Sequence, residues 1–274
     1  MSAIGIFDSG YGGLTILRDI RRKLPQYDYL YLGDNARSPY GTRSFEVVYR
    51  YTLQCVNWLF EQGCQLVILA CNTASAKALR TIQQNDLKDR TDKRVLGVIR
   101  PTTEQIGNYT RNNHVGLLAT QGTVQSNSYS IEISKLFPAI QLSQQPCPMF
   151  VPLVENGEAN NAGADYFVNK YTAELLEKDP DIDTVILGCT HYPILLEKLR
   201  KALPENIAIV SQGGLVAASL AHYLERHANI ERNIDRNSQC TYCTTEQSEK
   251  FNATASLFME EAIDAVHVDL PANH

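Results

Sequence analysis

Two cysteines in matched sequence surroundings are the first candidates for chemistry. Cys71 follows the apolar run Val67–Ala70, and Cys189 follows the similar run Val185–Gly188, each before short polar residues. Their separation of 118 positions (189 − 71) indicates an internal repeat with one cysteine in each copy. Two matched thiols suit a nearly symmetric reaction, in which one group removes a proton from a carbon and another returns a proton to the opposite face.

The predicted position of each cysteine favours acid–base chemistry. Both follow a buried strand and precede a helix, which is where open α/β sheets bind their ligands. A helix N-terminus stabilises a thiolate, so we expect the pKa of these thiols to fall from ~8.5 towards neutrality. The pattern therefore predicts a pair of general acid–base thiols and, as a hypothesis, racemisation without a cofactor.

Other readings of the two cysteines remain open at this stage. Each could be a small buried hydrophobe, or the two could form a disulfide. Together with His191 they could bind zinc, although the close ligand spacing of structural zinc sites is missing. A single cysteine nucleophile with a histidine base would leave the symmetry unexplained.

Two further side chains could assist the thiols. Asp8 ends the first apolar run, and His191 lies two residues after Cys189. Each could hydrogen-bond with the thiol on its own side or exchange a proton with it. Asp8 could instead serve only as a helix N-cap before the turn Gly10-Tyr11-Gly12-Gly13.

The elements that must position these residues follow an α/β pattern. Short apolar runs alternate with segments of helical period, which is typical of largely parallel sheets flanked by helices. Ser44 is a candidate cap for a helix that has Phe45 among its apolar positions and stops at Gly63. The predicted strands are Ala3 to Phe7, Tyr29 to Leu32, Leu66 to Ala70, Val95 to Val98, Val115 to Ala119, Thr184 to Leu187, Ile207 to Val210 and a strand near Cys240 to Cys243.

The composition argues against some classes of binding partner. The chain has 274 residues, 44% apolar and 20% charged, with 25 Lys+Arg against 30 Asp+Glu. A net charge of −5 gives no basic footprint for nucleic acid or an anionic membrane. Seven dispersed cysteines and the absence of a basic and apolar leader favour a reducing, cytoplasmic location.

Three weaker signals are read as ordinary structure. Cys240 and Cys243 form a lone C-x-x-C spacing without a second pair. The glycine-rich turn is neither G-x-G-x-x-G nor a P-loop, which argues against nucleotide binding. Lys77 is expected to be a solvated helical position, with a Schiff-base lysine as the alternative.

Four motifs carry a resemblance to a known family. They are Asp8-Ser9-Gly10-Tyr11-Gly12-Gly13-Leu14-Thr15, Asp34-Asn35-Ala36-Arg37-Ser38-Pro39-Tyr40-Gly41, Ala70-Cys71-Asn72-Thr73-Ala74-Ser75 and Gly188-Cys189-Thr190-His191-Tyr192-Pro193. With weaker matches at Ala119–Thr123 and Val151–Glu155, the ordered set resembles the glutamate racemases of the aspartate/glutamate racemase superfamily.

The resemblance implies cofactor-independent interconversion of L- and D-glutamate, which supplies D-glutamate for peptidoglycan. It implies that Cys71 removes the α-proton of D-glutamate and Cys189 that of L-glutamate. Asp8 would support Cys71, and His191 would support Cys189 with Glu155 as an auxiliary. The substrate contacts would be Asp8, Ser9, Tyr40, Gly41, Asn72, Thr73, Thr120, Thr123, Thr190 and His191.

The expected architecture is two pseudo-symmetric α/β lobes with the active site in the cleft between them. Residues 1–97 plus 210–274 would form the first lobe and residues 98–209 the second. No cofactor and no metal are expected; the partners would be L- or D-glutamate and, as is common in the family, a second copy of the chain.

Three alternatives compete with this function. They are a racemase of the same superfamily acting on aspartate or another amino acid, a pyridoxal-phosphate enzyme using Lys77, and a two-lobed amino-acid-binding module. Two departures from the family pattern, Ser38 and Tyr11, are expected to lie beside the cleft. Arg37 is expected to be a structural tether rather than a clamp on the substrate.

Overall fold

The computed structural model describes residues 2–271 and contains two parallel β-sheets covered by helices. The first sheet consists of β1 (Ile4–Asp8), β2 (Tyr29–Gly33), β3 (Leu66–Leu69), β4 (Arg94–Gly97), β9 (Cys240–Thr244) and β10 (Ala265–His267). Its strand order is β10-β9-β2-β1-β3-β4. We call this sheet with its helices the first lobe.

The second sheet consists of β5 (His114–Ala119), β6 (Gln141–Pro146), β7 (Thr184–Gly188) and β8 (Ala208–Val210). Its strand order is β6-β5-β7-β8, and with its helices it forms the second lobe. The recorded strand pairs in both sheets are parallel, so the carboxyl ends of the strands meet at one edge of each sheet. The prediction of two mostly parallel α/β lobes is confirmed.

Helices connect these strands in the manner of a βαβ fold. They are α1 (Gly13–Lys23), α2 (Phe45–Glu61), α3 (Asn72–Lys77), α4 (Leu79–Thr81), α5 (Ile99–Thr103), α6 (Gln121–Gln125), α7 (Ser128–Leu136), α8 (Phe150–Glu155), α9 (Ala162–Lys178), α10 (Leu196–Ala202), α11 (Gly213–Arg226), α12 (Ala228–Glu231) and α13 (Ser248–Met259). Across residues 2–271, no helix has the length and apolar character needed to cross a bilayer.

The central strands are buried on both faces, which explains their continuous apolar runs. All residues of β1, β3 and β7 are buried. Ser44 caps α2, as predicted, by accepting a hydrogen bond from the backbone N–H of Val47.

Strand register brings the candidate residues together. In the first sheet Phe7 pairs with Leu69, so Asp8 and Cys71 leave neighbouring strands at the same edge. In the second sheet Ala119 pairs with Gly188, which places Thr120 beside Cys189 in the same way.

Four local expectations were wrong or incomplete. The strands β6 and β10 were not predicted, because β6 is polar (QLSQQP) and β10 is only three residues long. The predicted strand Val95 to Val98 ends at Gly97, because Val98 is already the N-cap of α5. Phe45 is 50% exposed rather than packed on the apolar face of α2. The cysteine repeat is also imperfect, since an α-helix follows Cys71 but a 3₁₀ turn (Tyr192–Leu195) follows Cys189.

Candidate active site

A cavity of about 90 Å³ lies between the two lobes, at the edges where their strands end. Space of that size holds several water molecules or one small solute. Twelve of the predicted site residues line it: Asp8, Ser9, Tyr40, Gly41, Cys71, Asn72, Thr73, Thr120, Glu155, Cys189, Thr190 and His191. The cavity therefore receives one thiol from each lobe.

The Cys71 thiol is held by two groups of the first lobe. Its Sγ lies 3.4 Å from Oγ of Ser9 and accepts the backbone N–H of Ala74 at 3.4 Å. Burial, reinforced by the nearby Asp8 carboxylate, raises the pKa of Cys71 to about 12 despite these two hydrogen bonds. The expected fall of this pKa towards neutrality is therefore wrong for Cys71. The helix α3 has only six residues, and loss of hydration outweighs its N–H groups.

Asp8 is completely buried at the end of β1. Its Oδ2 accepts the backbone N–H of Gly10 at 2.9 Å, while Oδ1 has no hydrogen-bond partner within the part of the chain that is described. Burial raises the pKa of Asp8, and the charge of His191 partly offsets this rise. The N-cap residue of α1 is Gly12, so the alternative in which Asp8 is only an N-cap is wrong.

The Cys189 thiol is held by a histidine of its own lobe. Its Sγ lies 3.7 Å from Nδ1 of His191, and Nε2 of His191 lies 2.9 Å from Oε1 of Glu155. Burial lowers the pKa of His191, but its hydrogen bonds with Cys189 and Glu155 outweigh burial and hold that pKa well above its usual range. The imidazole thus lies between a thiol and a carboxylate, where it can exchange a proton with either of them.

The glycine-rich turn of the first lobe makes room for the second lobe. A Cβ atom built at Gly12 would lie 2.4 Å from both Nδ1 of His191 and Oγ1 of Thr190. One at Gly10 would lie 2.8 Å from Oε1 of Glu155. The glycines are thus required by close packing against the acid–base residues of the other lobe, rather than by a bound phosphate.

Hydroxyl and backbone groups join the lobes around the cavity. Oγ1 of Thr73 lies 3.0 Å from Oγ1 of Thr120, and the N–H of Gly122 donates to the carbonyl of Gly41 at 2.9 Å. The thirteenth predicted residue, Thr123, lies behind Thr120, which donates to its hydroxyl at 3.1 Å, and does not line the cavity.

Two charged residues near the cavity bind other protein groups instead of facing the substrate. Nε of Arg37 lies 2.7 Å from Oδ2 of Asp34, an ion pair that tethers the loop. Lys77 is 7% exposed, so the expected solvated position is wrong. Its Nζ donates to the carbonyl of Arg43 at 2.7 Å and lies 4.9 Å from the ring centroid of Phe45. Lys77 does not line the cavity, which removes it as a Schiff-base lysine.

The cavity also contains residues that were not predicted. The most notable is Cys147, a third lining thiol, which follows the unpredicted strand β6. A polar edge strand gave no signal that a cysteine there would reach the cleft. Ser38 lines the cavity as expected, whereas Tyr11 stacks on Phe251 at 5.3 Å and lies outside it. The remaining lining residues are Pro39, Thr42, Gln121, Pro148, Val151 and Pro152.

Comparison with known proteins agrees with this geometry. Residues 14–221 match the model of the Asp/Glu/Hydantoin racemase family. A glutamate racemase from Ruegeria sp. (strain TM1040) is 40% identical over 271 residues, which is 95% of this chain and 98% of that protein.

Two solved structures share the complete two-lobed fold. The glutamate racemase isoform RacE1 from Bacillus anthracis superposes with a TM-score of 0.90 at 34% identity, covering 99% of both chains. The glutamate racemase from Francisella tularensis in complex with D-glutamate has a TM-score of 0.85 at 30% identity, covering 99% of this chain and 97% of that one.

Proposed function

The chain belongs to the Asp/Glu/Hydantoin racemase family and is an amino-acid racemase, and on this premise we propose that it interconverts L- and D-glutamate without a cofactor. The observation that carries the proposal is that Cys71 and Cys189, each at the end of a strand of a different lobe, line one cavity. A base is thereby available from each lobe, as inversion of a carbon requires.

The lining of the cavity suits a small dicarboxylate. Hydroxyl and amide groups of Ser9, Asn72, Thr73, Thr120 and Thr190 surround it and can donate to carboxylate oxygens. The similar protein from Francisella tularensis was solved with D-glutamate, which supports glutamate as the substrate here.

The reaction consists of two proton transfers. The Cys71 thiolate removes the α-proton of D-glutamate, and the electron pair of the broken C–H bond is delocalised into the α-carboxylate. The Cys189 thiol then donates its proton to the opposite face, which gives L-glutamate and a Cys189 thiolate. L-glutamate reacts by the reverse sequence. Fixed donors in a site shielded from water stabilise the negative charge that develops.

The supporting groups differ between the two lobes. His191, with Glu155 as its partner, stabilises the Cys189 thiolate by hydrogen bonding and charge. On the other side, Ser9 is the direct hydrogen-bond partner of Cys71, and Asp8 is a buried carboxyl that lines the same cavity. Binding of the substrate ammonium group beside Asp8 would offset the unfavourable burial of charge at this end.

The biological setting is part of the same proposal. D-glutamate made by this enzyme would supply peptidoglycan synthesis in the cytoplasm, where the seven free cysteines fit a reducing environment. We further propose that the enzyme acts as a homodimer and that the lobes divide at residues 97/98 and 210/211. The second boundary expected from the sequence, 209/210, is shifted by one residue because Val210 ends β8 and pairs with Ile186 of the second sheet.

The direct test is an assay of the purified protein with each glutamate enantiomer, followed by circular dichroism. We expect both solutions to approach the racemic mixture, and a colourless preparation whose activity resists borohydride. A strong preference for aspartate would overturn the substrate assignment. Glutamate binding without α-deuterium exchange in heavy water would instead identify a binding module and contradict catalysis.

A further inference from the structure

A closed ring of three hydrogen bonds lies behind the cavity. Nδ2 of Asn72 donates to Oε1 of Gln212 at 2.5 Å, and Nε2 of Gln212 donates to the hydroxyl of Tyr129 at 2.9 Å. The Tyr129 hydroxyl donates in turn to Oδ1 of Asn72 at 2.8 Å. All three side chains are at least 97% buried, yet only Asn72 lines the cavity.

A backbone carbonyl outside the ring fixes which groups donate and which accept in its hydrogen bonds. Nε2 of Gln212 also lies 3.2 Å from the carbonyl oxygen of Val98 and 3.0 Å from Oγ1 of Thr102. The Thr102 hydroxyl donates to that same carbonyl at 3.1 Å, so it accepts from Gln212. Because a carbonyl only accepts, the amide nitrogen of Gln212 must face Val98, and its oxygen must face Asn72.

The consequence for Asn72 is a defined amide orientation. Its nitrogen must face the Gln212 oxygen, and its own oxygen must face the Tyr129 hydroxyl. One of the two Nδ2 hydrogens is used by Gln212, and the other has no partner within residues 2–271. Asn72 therefore offers the cavity an N–H donor rather than a carbonyl oxygen. A carboxylate, which only accepts hydrogen bonds when ionised, requires such a donor.

Gln212 and the two residues that fix its orientation lie where the chain passes between the lobes. Val98 and Thr102 follow β4 of the first sheet and precede β5 of the second. Gln212 follows β8 of the second sheet before the chain returns to β9 of the first. The orientation of Asn72 is thus tied to the two connections that set how the lobes meet.

We propose that Gln212 and Tyr129 are positioning residues that hold the Asn72 amide with its N–H towards a substrate carboxylate. This inference rests on the proposed glutamate racemase function for the identity of the anion. The orientation of the amide itself follows from the hydrogen bonds and does not depend on that function.

The first test compares Gln212→Leu and Tyr129→Phe with the wild-type enzyme. Each change removes one of the two hydrogen bonds that orient the Asn72 amide. We expect KM for both enantiomers to rise about 10- to 100-fold, the loss typical of a hydrogen bond to a charged group. The value of kcat should change much less, because neither residue touches the thiols.

Matched controls remove similar buried groups that lie outside the ring. Tyr29→Phe removes a hydroxyl that donates to the carbonyl of Leu24 at 2.6 Å. Gln145→Leu removes a buried amide that bonds with Glu174 and Lys178. Both controls should leave KM unchanged, even where thermal stability falls. Equal changes in KM for controls and ring variants would overturn the proposal.

Gln212→Glu adds a pH signature that a packing role would not produce. The protonated carboxyl of the introduced glutamate can still donate a hydrogen bond to the Val98 carbonyl. The ionised carboxylate can only accept, so it would place an acceptor against the carbonyl oxygen, which is also an acceptor. We therefore expect KM of Q212E to approach the wild-type value at acid pH and to increase as the introduced carboxyl ionises. A KM ratio between variant and wild type that is independent of pH would contradict the role assigned to Gln212.

The second readout needs no substrate and separates this inference from the proposed function. In ¹⁵N NMR spectra, the Asn72 side chain, assigned by its disappearance in Asn72→Ala, should show two distinct amide protons with one protected from exchange. Gln212→Leu should remove that protection, because Gln212 accepts the protected proton, while Gln145→Leu keeps it. Retained protection and unchanged KM in Gln212→Leu would overturn the inference, whereas a wild-type protein inactive on glutamate would contradict only the proposed function.

Discussion

Gly12 lies so close to His191 that a Cβ atom at Gly12 would stand 2.4 Å from Nδ1 of the imidazole. That nitrogen is the one nearest the Cys189 thiol, at 3.7 Å. The turn of the first lobe therefore sets the position of an acid–base group in the second. The lobes meet through this contact, so the geometry around Cys189 depends on a backbone segment far away in sequence.

Gly12→Ala should displace His191 without replacing any side chain of the active site. A shift of about 1 Å at a reacting group costs about 100-fold in rate, and we expect a fall in kcat of that order. The control is Gly214→Ala in the first turn of α11, where a new Cβ meets nothing within 4 Å and activity should be unchanged. Similar kinetics for the two variants would refute the importance of this contact.

Glu155→Gln should lower the pKa of His191, because the carboxylate is one of the groups that raise it. A raised folded-state pKa stabilises the fold fully below the unfolded value of about 6.5 and ceases to do so as pH rises through the folded value. The variant should thus lose more thermal stability at pH 6 than at pH 9. NMR titration of His191 measures the pKa directly.

Glu158→Gln provides the control for that change, since Glu158 bonds with Asn161 and not with His191. Because L- and D-glutamate have equal free energies, kcat/KM of Glu155→Gln must fall equally in both directions. An unshifted His191 pKa in Glu155→Gln would show that the carboxylate does not hold the proton on the ring.

Cys71 should react with iodoacetamide as a thiol of high pKa. Burial raises its pKa to about 12, so the alkylation rate should increase about tenfold per pH unit up to pH 10 without a plateau. Ser9→Ala removes a hydrogen bond that lowers this pKa and should slow the reaction further, while Ser126→Ala should not. Mass spectrometry of the Cys71 peptide gives the rate; a plateau near pH 8 would contradict the assigned environment.

The sequence predicts those site residues that directly follow a buried strand. Cys71 and Cys189 follow continuous apolar runs, and parallel strands bring their carboxyl ends to one edge of a sheet, so the runs alone predict where both thiols lie. The strand before Cys147 is polar and lies at the edge of its sheet, and it has no such signature. A third thiol in the cavity was missed for that reason.

Local sequence patterns do not predict contacts between segments that are far apart in the sequence. Lys77 has the periodicity of an exposed helical residue, but the loop at Arg43 and the ring of Phe45 cover it. The ring formed by Asn72, Tyr129 and Gln212 joins residues up to 140 positions apart. Nothing in the sequence around Gln212 indicates its amide partners, because they are supplied by the packing of the two lobes.

Isotope exchange in heavy water with Cys71→Ala and Cys189→Ala tests the two-thiol mechanism most directly. Losing one thiol should reduce racemisation about 10²- to 10⁴-fold, the usual contribution of a general acid or base. The remaining thiol should still exchange the α-proton of one enantiomer with solvent.

We predict that Cys189→Ala exchanges only D-glutamate and Cys71→Ala only L-glutamate, each without inversion. Racemisation near the wild-type rate in either variant, or exchange of the same enantiomer by both, would contradict the mechanism.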